Sequence, residues 1–316
     1  MEFTQKSSNK IIKKSFWVKC YRQRYRFLML LPMFITICVF TYRPVMFWVI
    51  AFTDYKIGKN IFSGEWVGLR FFREFFRDSA DAFNVFKITL SFNITSLILG
   101  TFSAMAFAIL INEIKNRKTR RFVQSASILP FFVSWVITYS LCRAFFATGS
   151  GLLNTFLMNA GIIDRGINIL GDPKYTFGLL IGTSLWKGLG YSAVIYLATI
   201  AGIDQEQYEA ANIDGAGRWA RIRYITIPSL IGTMAVLLVL TSGSLLSSNF
   251  DMFYIFSNPT NQIATEVFDM YVYRFGLKLG RYSYATAVGM FKTVTSLTMI
   301  LICNSIYRKI TDRTIF

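Results

Sequence analysis

Six stretches of this chain stay apolar for about twenty residues or more, and that feature decides what it can fold into. They cover residues 27–52, 86–111, 122–142, 175–199, 224–248 and 282–307. A helix needs about 20 apolar residues to cross roughly 30 Å of hydrocarbon, and a soluble core has no use for so many segments of that length. Inside lipid the backbone must satisfy its own hydrogen bonds, so each stretch is expected to be helical. The expected fold is an all-α integral membrane protein with six transmembrane helices. Only 16% of the residues are charged and 53% are hydrophobic, whereas about a quarter are charged in soluble domains. Pro44, beside Arg43, is expected to kink the first helix near its outer end. Lys187 and Lys292 fall inside the fourth and sixth stretches.

Charge placement orients the chain. With the N-terminus inside, the inner segments 1–26, 113–121, 201–223 and 308–316 hold 19 Lys and Arg against 7 acids. The outer loops 53–82, 143–174 and 251–281 hold 11 against 10. Lys and Arg accumulate on the cytoplasmic side, so both termini are expected inside. The net charge of +17, which in a soluble protein would suggest nucleic acid, is explained by these inner loops, and no nucleic-acid partner is expected. Residues 1–26 then form a basic cytoplasmic segment and 27–82 the first helix with its outer loop. Residues 83–307 form a core of five helices, and 308–316 a cytoplasmic tail. The N-terminus carries eight Lys or Arg in its first 26 residues, with no apolar core and no cleavage site, so it does not read as a cleavable signal. Phe71, Phe72, Phe75 and Phe76 sit at helical spacing in the first outer loop, where a short interfacial helix is expected.

Several chemistries lack their residues. Histidine is absent, which removes His general bases and His metal ligands. Cys20, Cys38, Cys142 and Cys303 are far apart in sequence, which argues against a CxxC metal site. No stretch reads GxxxxGK[ST], so no nucleotide-binding loop is expected. The chain is therefore expected to be non-catalytic, with no cofactor or metal of its own.

The inner segment 201–223 breaks the apolar pattern. Asp204 can cap a short helix carrying Gln205, Glu206, Gln207, Tyr208, Glu209, Ala210 and Ala211, with acids in its first turns as the helix dipole favours. Gly215 and Gly217 then turn the chain into a second short helix that runs into Pro228. A plain connector would be shorter; a rigid knob for docking is the better reading.

The spacing within it is specific. Glu209-Ala210-Ala211, three residues, Gly215, nine residues, Ile225, one residue and Ile227-Pro228 resemble the EAA signature of binding-protein-dependent (type I) ABC importer permeases, with Ile227 where that family usually has Leu. Further likeness to the polysaccharide and oligosaccharide branch, of the maltose- and alginate-importer kind, lies in TYRPVMFWVIAFTDY near the first helix and in Trp66-Val67-Gly68-Leu69. It continues in Trp186-Lys187-Gly188 with Gly190-Tyr191, in Asn249-Phe250-Asp251 ahead of Asn258-Pro259, and in DMYVYRFGL at 269–277. The resemblance implies a pore subunit of an ATP-driven oligosaccharide importer in the plasma (inner) membrane of a prokaryote. It implies a second, related permease chain as partner, two ATPase subunits that bind ATP and Mg, and an extracytoplasmic solute-binding protein. The EAA loop, 201–228, would be the coupling helix between the fourth and fifth membrane helices. Glu209, Ala210, Ala211, Asp214, Gly215 and Gly217 would be its ATPase-docking residues.

For the substrate path the residues themselves are the guide. Hydroxyls and amides bond sugar hydroxyls, and aromatic faces pack on pyranose rings. Asn93, Trp186, Tyr191, Ser244, Ser247, Ser248 and Asn249 are candidates on that ground, although small polar residues also serve helix packing. Lys187 and Lys292 are candidates because intramembrane charges are costly and mark function; they raise the possibility of an acidic oligosaccharide, but they can equally snorkel or pair. A type I permease for another small solute remains the alternative. A secondary transporter would usually show more helices and intramembrane acids, and a membrane enzyme would need a constellation of reactive groups that the chain does not supply.

Overall fold

The computed structural model describes residues 23–77 and 79–311. Most of the basic segment 1–26 and the end of the tail 308–316 lie outside the described residues. The described chain is mostly helical; its strands, β1 (Thr53–Asp54) and β2 (Glu65–Trp66), pair antiparallel with Thr53 opposite Trp66.

The first helix, α1 (Arg24–Phe52), passes through Pro44 instead of ending there. A π-turn over Cys38–Tyr42 precedes the proline, with the Arg43 N–H donating to the Cys38 carbonyl. Such turns absorb the hydrogen bond that proline removes. Through Met46 no residue of α1 is buried; packing starts at Ile50 and Ala51, which meet the last helix.

The loop after α1 folds back through the β1–β2 pair into α2 (Arg70–Arg77). The phenylalanine helix expected here exists, with its apolar face turned inward: Phe71 and Phe75 are buried, and Phe75 packs against Phe268, Tyr271 and Phe291.

The centre is two long helices running side by side in the same direction, α3 (Ser79–Asn112) and α7 (Pro173–Ala201). Small residues let them approach: Ala104 and Ala108 of α3 are buried against Ala193 and Leu197 of α7, with Leu230 closing the cluster. In membranes such close packing replaces the hydrophobic drive. Asp172 caps the start of α7 ahead of Pro173, the proline position that costs a helix no hydrogen bond.

The expected third span is not one straight helix. It breaks into α4 (Arg117–Phe132) and α5 (Trp135–Phe146), bent by 102°. Pro130 lies in the last turn of α4 and Ser134 caps α5, its Oγ accepting from the Ile137 N–H at 3.3 Å. At 1.5 Å per residue each piece is shorter than about 30 Å and crosses a bilayer only together with the other. Gly190 of α7 sits directly under α4, where a Cβ would lie 2.0 Å from the Ser127 carbonyl oxygen; no other residue allows that contact.

After α6 (Leu152–Asn159) and α7 come α8 (Gln205–Ile213) and α9 (Arg218–Ser242), the fifth expected span. It ends at Ser242, six residues earlier than its apolar run, and 243–249 form an irregular turn. Three short helices follow, α10 (Phe250–Phe256), α11 (Gln262–Thr265) and α12 (Phe268–Tyr273), and then the long α13 (Tyr282–Thr311). Four described helices, α1, α3, α9 and α13, are each long and apolar enough to cross a membrane, and the bent α4–α5 pair makes a fifth. The expected fourth span, α7, matches in length but not in hydropathy.

Candidate functional site

Two irregular segments interrupt the helical bundle, and each is held by a polar side chain from a neighbouring helix. At the α4–α5 break, Lys187 of α7 is 8% exposed and donates to the main-chain carbonyls of Pro130 at 3.0 Å, Phe131 at 2.7 Å and Val133. Its ammonium also lies 5.3 Å from the Trp135 ring centre. At the end of α9, Asn93 of α3 donates to the carbonyls of Leu245 at 2.7 Å and Ser247 at 3.4 Å, and to Ser248 Oγ at 3.3 Å. Unpaired carbonyls are costly in an apolar medium, so non-helical backbone survives there only when something satisfies it.

Between these anchors, α3, α7 and α9 enclose a cavity of about 380 Å³. Asn93, Ser96, Thr101, Tyr191, Ser192, Tyr196, Thr241, Ser244 and Ser247 supply its polar lining, and among the described residues no charged side chain borders it. The Ser96 hydroxyl is buried and meets no hydrogen-bond partner among the described residues. Tyr191 is held flat against Phe131 of the bent segment, ring centres 4.0 Å apart and planes 6° from parallel. The Lys187 anchor thus also fixes the backbone of Phe131, the ring against which cavity-lining Tyr191 rests.

Four of the residues singled out from the sequence, Asn93, Tyr191, Ser244 and Ser247, meet in this cavity. The others lie elsewhere. Trp186 borders a separate, mostly apolar cavity of about 560 Å³ between α5 and α7, with Cys142 and Phe145. Ser248 donates its N–H to Asp269 Oδ2 at 2.9 Å, and Asn249 caps α10 by accepting from the Met252 N–H at 3.1 Å. Lys292 is paired with Asp269 Oδ1 at 2.5 Å. Neither lysine borders the cavity, because each ammonium is taken up by groups of its own chain. Ser96, Thr101, Ser192, Tyr196 and Thr241 were not singled out. On α3 the signal existed, since Asn93, Leu97, Gly100, Thr101 and Ala104 recur every three or four residues along one face.

At the other end of α7 the glycine-turned knob is as expected. Asp204 accepts from the Glu206 N–H at 3.0 Å and caps α8. Gly215 has φ +75°, and the Ala216 N–H returns to the Ala211 carbonyl at 2.8 Å while the Gly215 N–H bonds the Asn212 carbonyl at 3.1 Å. This paired closure requires the left-handed conformation that glycine adopts freely. Gly217 then precedes α9. Glu209, Ala210, Asp214, Gly215 and Gly217 face solvent, and Ile213 and Trp219 are among the most exposed apolar side chains of the described residues. The knob is fastened to the helices behind it: Arg218 pairs with Glu113 at the end of α3 and also bonds its carbonyl at 3.0 Å, Arg221 bonds Asn212 at 2.6 Å, and the Tyr208 and Thr226 hydroxyls meet at 2.9 Å. None of these fastenings was legible beforehand, because their partners are up to 105 positions apart.

The model of the family described as "Binding-protein-dependent transport system inner membrane component" matches residues 96–315. The chain is 35% identical over 295 residues to Protein LplB of Bacillus subtilis, covering 93% of this chain and 92% of that protein. It is 36% identical over 304 residues to the polygalacturonan/rhamnogalacturonan transport system permease protein YteP of the same organism, covering 96% and 94%. Its fold resembles a chain in a crystal structure of a bacterial ABC transporter involved in the import of the acidic polysaccharide alginate, with TM-score 0.85 and 33% identity, over 93% of this chain and 99% of that one. A second structure of a bacterial alginate ABC transporter, in complex with a periplasmic protein bound to alginate pentasaccharide, gives TM-score 0.86 at 32% identity. The match over more than half of its length, with these relatives, places the chain in the family of inner-membrane components of binding-protein-dependent transport systems.

Proposed function

We propose that this chain forms half of the translocation pore of an ATP-driven oligosaccharide importer. One observation carries the reading: the cavity between α3, α7 and α9 is lined by hydroxyls, an amide and two tyrosines, and by no charge among the described residues. Such a wall exchanges hydrogen bonds with sugar hydroxyls as water does and offers ring faces for packing, so a saccharide passes without a strong trap. The saccharide relatives support the same class.

In this reading the chain crosses the prokaryotic plasma membrane six times, with both termini inside. The spans are α1, α3, the bent α4–α5 pair, α7, α9 and α13. α7 is 29 residues long, about 43 Å at 1.5 Å per residue, enough to cross. A related second permease completes the pore. The α8 knob docks on one of two ATPase subunits through Glu209, Ala210, Ala211, Asp214, Gly215 and Gly217, with exposed Ile213 and Trp219 adding apolar contact. Its ties to α3 and α9 carry the ATPase motion to the helices that wall the cavity. An extracytoplasmic binding protein delivers the substrate. ATP and Mg are held by the ATPases.

The test is to purify the chain with its partner subunits, reconstitute it with the binding protein, and measure ATP hydrolysis and uptake with neutral and acidic oligosaccharides of equal length. Stimulation by oligosaccharides is expected. Absence of a co-purifying ATPase, or stimulation only by non-saccharide solutes, would overturn the proposal.

A further inference from the structure

α2 places Arg70, Arg73 and Arg77 at positions i, i+3 and i+7, one stripe of the helix, on the face opposite buried Phe71 and Phe75. Arg281 joins them from the chain just ahead of α13. Together with Glu74 they border an open, strongly polar cavity of about 710 Å³. Glu74 is committed to Arg281, and Arg281 is also stacked on Tyr284, its guanidinium carbon 4.6 Å from the ring centre. Among the described residues no carboxylate comes within ion-pair distance of Arg70, Arg73 or Arg77, so three guanidinium groups are left facing one cavity.

The position of this cavity says which anion it meets. α3 begins two residues after Arg77, and α13 begins directly after Arg281. The arginines therefore stand where two membrane helices leave the apolar layer, at the depth of lipid headgroups. Around them the exposed side chains are not those of a water-facing loop: Trp66, Leu69 and Phe76 are all exposed, and Phe83 projects from the first turns of α3. Exposed aromatics at helix ends are the usual furniture of the membrane interface, and guanidinium forks match phosphate oxygens in pairs. We infer that the α2–α13 cavity binds the phosphate headgroup of an anionic phospholipid, whose acyl chains run past Phe76 and Phe83. The inference rests on the membrane reading of α3 and α13, and the N-inside topology puts the lipid in the outer leaflet.

The test uses the complete importer in nanodiscs of phosphatidylcholine with phosphatidylglycerol, and reads the lipids retained after extraction by native mass spectrometry. The wild-type complex should retain phosphatidylglycerol over phosphatidylcholine by on the order of ten-fold, as expected for several charge-assisted contacts. The R70Q/R73Q/R77Q variant should lose that preference with unchanged elution and melting. Should the triple variant not assemble, R70Q/R73Q makes the same comparison at smaller amplitude. Equal retention by wild type and variant overturns the inference. So does a variant that binds the purified binding protein more weakly in phosphatidylcholine alone, since the arginines would then serve a protein partner. Saccharide uptake by the wild type in phosphatidylcholine is read in parallel, so a failed lipid site and a failed importer reading give different results.

Discussion

Lys187 Nζ lies 2.7 Å from the main-chain carbonyl oxygen of Phe131, and the same ammonium closes the carbonyls of Pro130 in the last turn of α4 and of Val133 in the break. A cation that sequence alone marks for substrate contact is thus a fastener for a bent helix. Lys187→Met keeps the length of the side chain and leaves these carbonyls without a donor. Unmet buried acceptors cost about 1–3 kcal/mol each, so the purified complex should melt well below the wild type. Uptake should fall as well, because Phe131 and the Tyr191 ring stacked on it are then free to move. An unchanged melting temperature would show that the bend holds without Lys187.

How much of this was legible follows from the same residues. Apolar run length located the long apolar helices α1, α3, α9 and α13 and the bent α4–α5 pair, because lipid leaves the backbone few choices. It could not locate the break at 133–134 or the early end of α9. Those depend on Lys187 and Asn93, donors 54 or more positions away from the carbonyls they satisfy. The glycine-closed knob was legible, since a helix cap and a left-handed glycine are local devices. The cavity was half legible: Asn93 and Tyr191 stand out by type, whereas Ser96 and Thr241 become visible only when three helices are brought together.

The Lys292–Asp269 pair, at 2.5 Å, joins α13 to α12, and the second Asp269 oxygen holds the Ser248 N–H at the end of the α9 turn. Both side chains are largely buried, so removing one partner strands the other charge. Lys292→Met and Asp269→Asn should each destabilise the complex. The double variant should be less damaged than the sum of the two, by a coupling of about 1–3 kcal/mol. Strict additivity of the melting shifts would mean that the two side chains act independently.

Ser96 offers a cleaner probe of the cavity than Asn93, which also holds backbone. Its hydroxyl has no partner to lose among the described residues, so Ser96→Ala should leave melting unchanged to within about 0.5 kcal/mol. Ser96→Leu should obstruct the cavity and cut uptake strongly while ATP hydrolysis without substrate continues. If uptake by the Leu variant equals wild type, the substrate takes another route.

Gly215 tests the docking role proposed for the α8 knob. Its φ of +75° is a conformation that most side chains resist, yet a Cβ there would meet nothing within 4 Å. Bulk is therefore tolerated within this chain, and strain of about 1–2 kcal/mol falls on the turn alone. Gly215→Val should insert and fold, but the closure from Ala216 to Ala211 should open and tilt α8. Substrate-stimulated ATP hydrolysis should then be lost, with the ATPase bound weakly or not at all. Gly215→Asn separates conformation from contact, because asparagine enters the left-handed region readily. If only the turn matters, Asn should retain most of the coupling that Val loses. If both variants lose coupling alike, the ATPase touches the Gly215 backbone itself and the absence of a side chain is what docking needs. Full coupling in both would remove Gly215 from the docking surface.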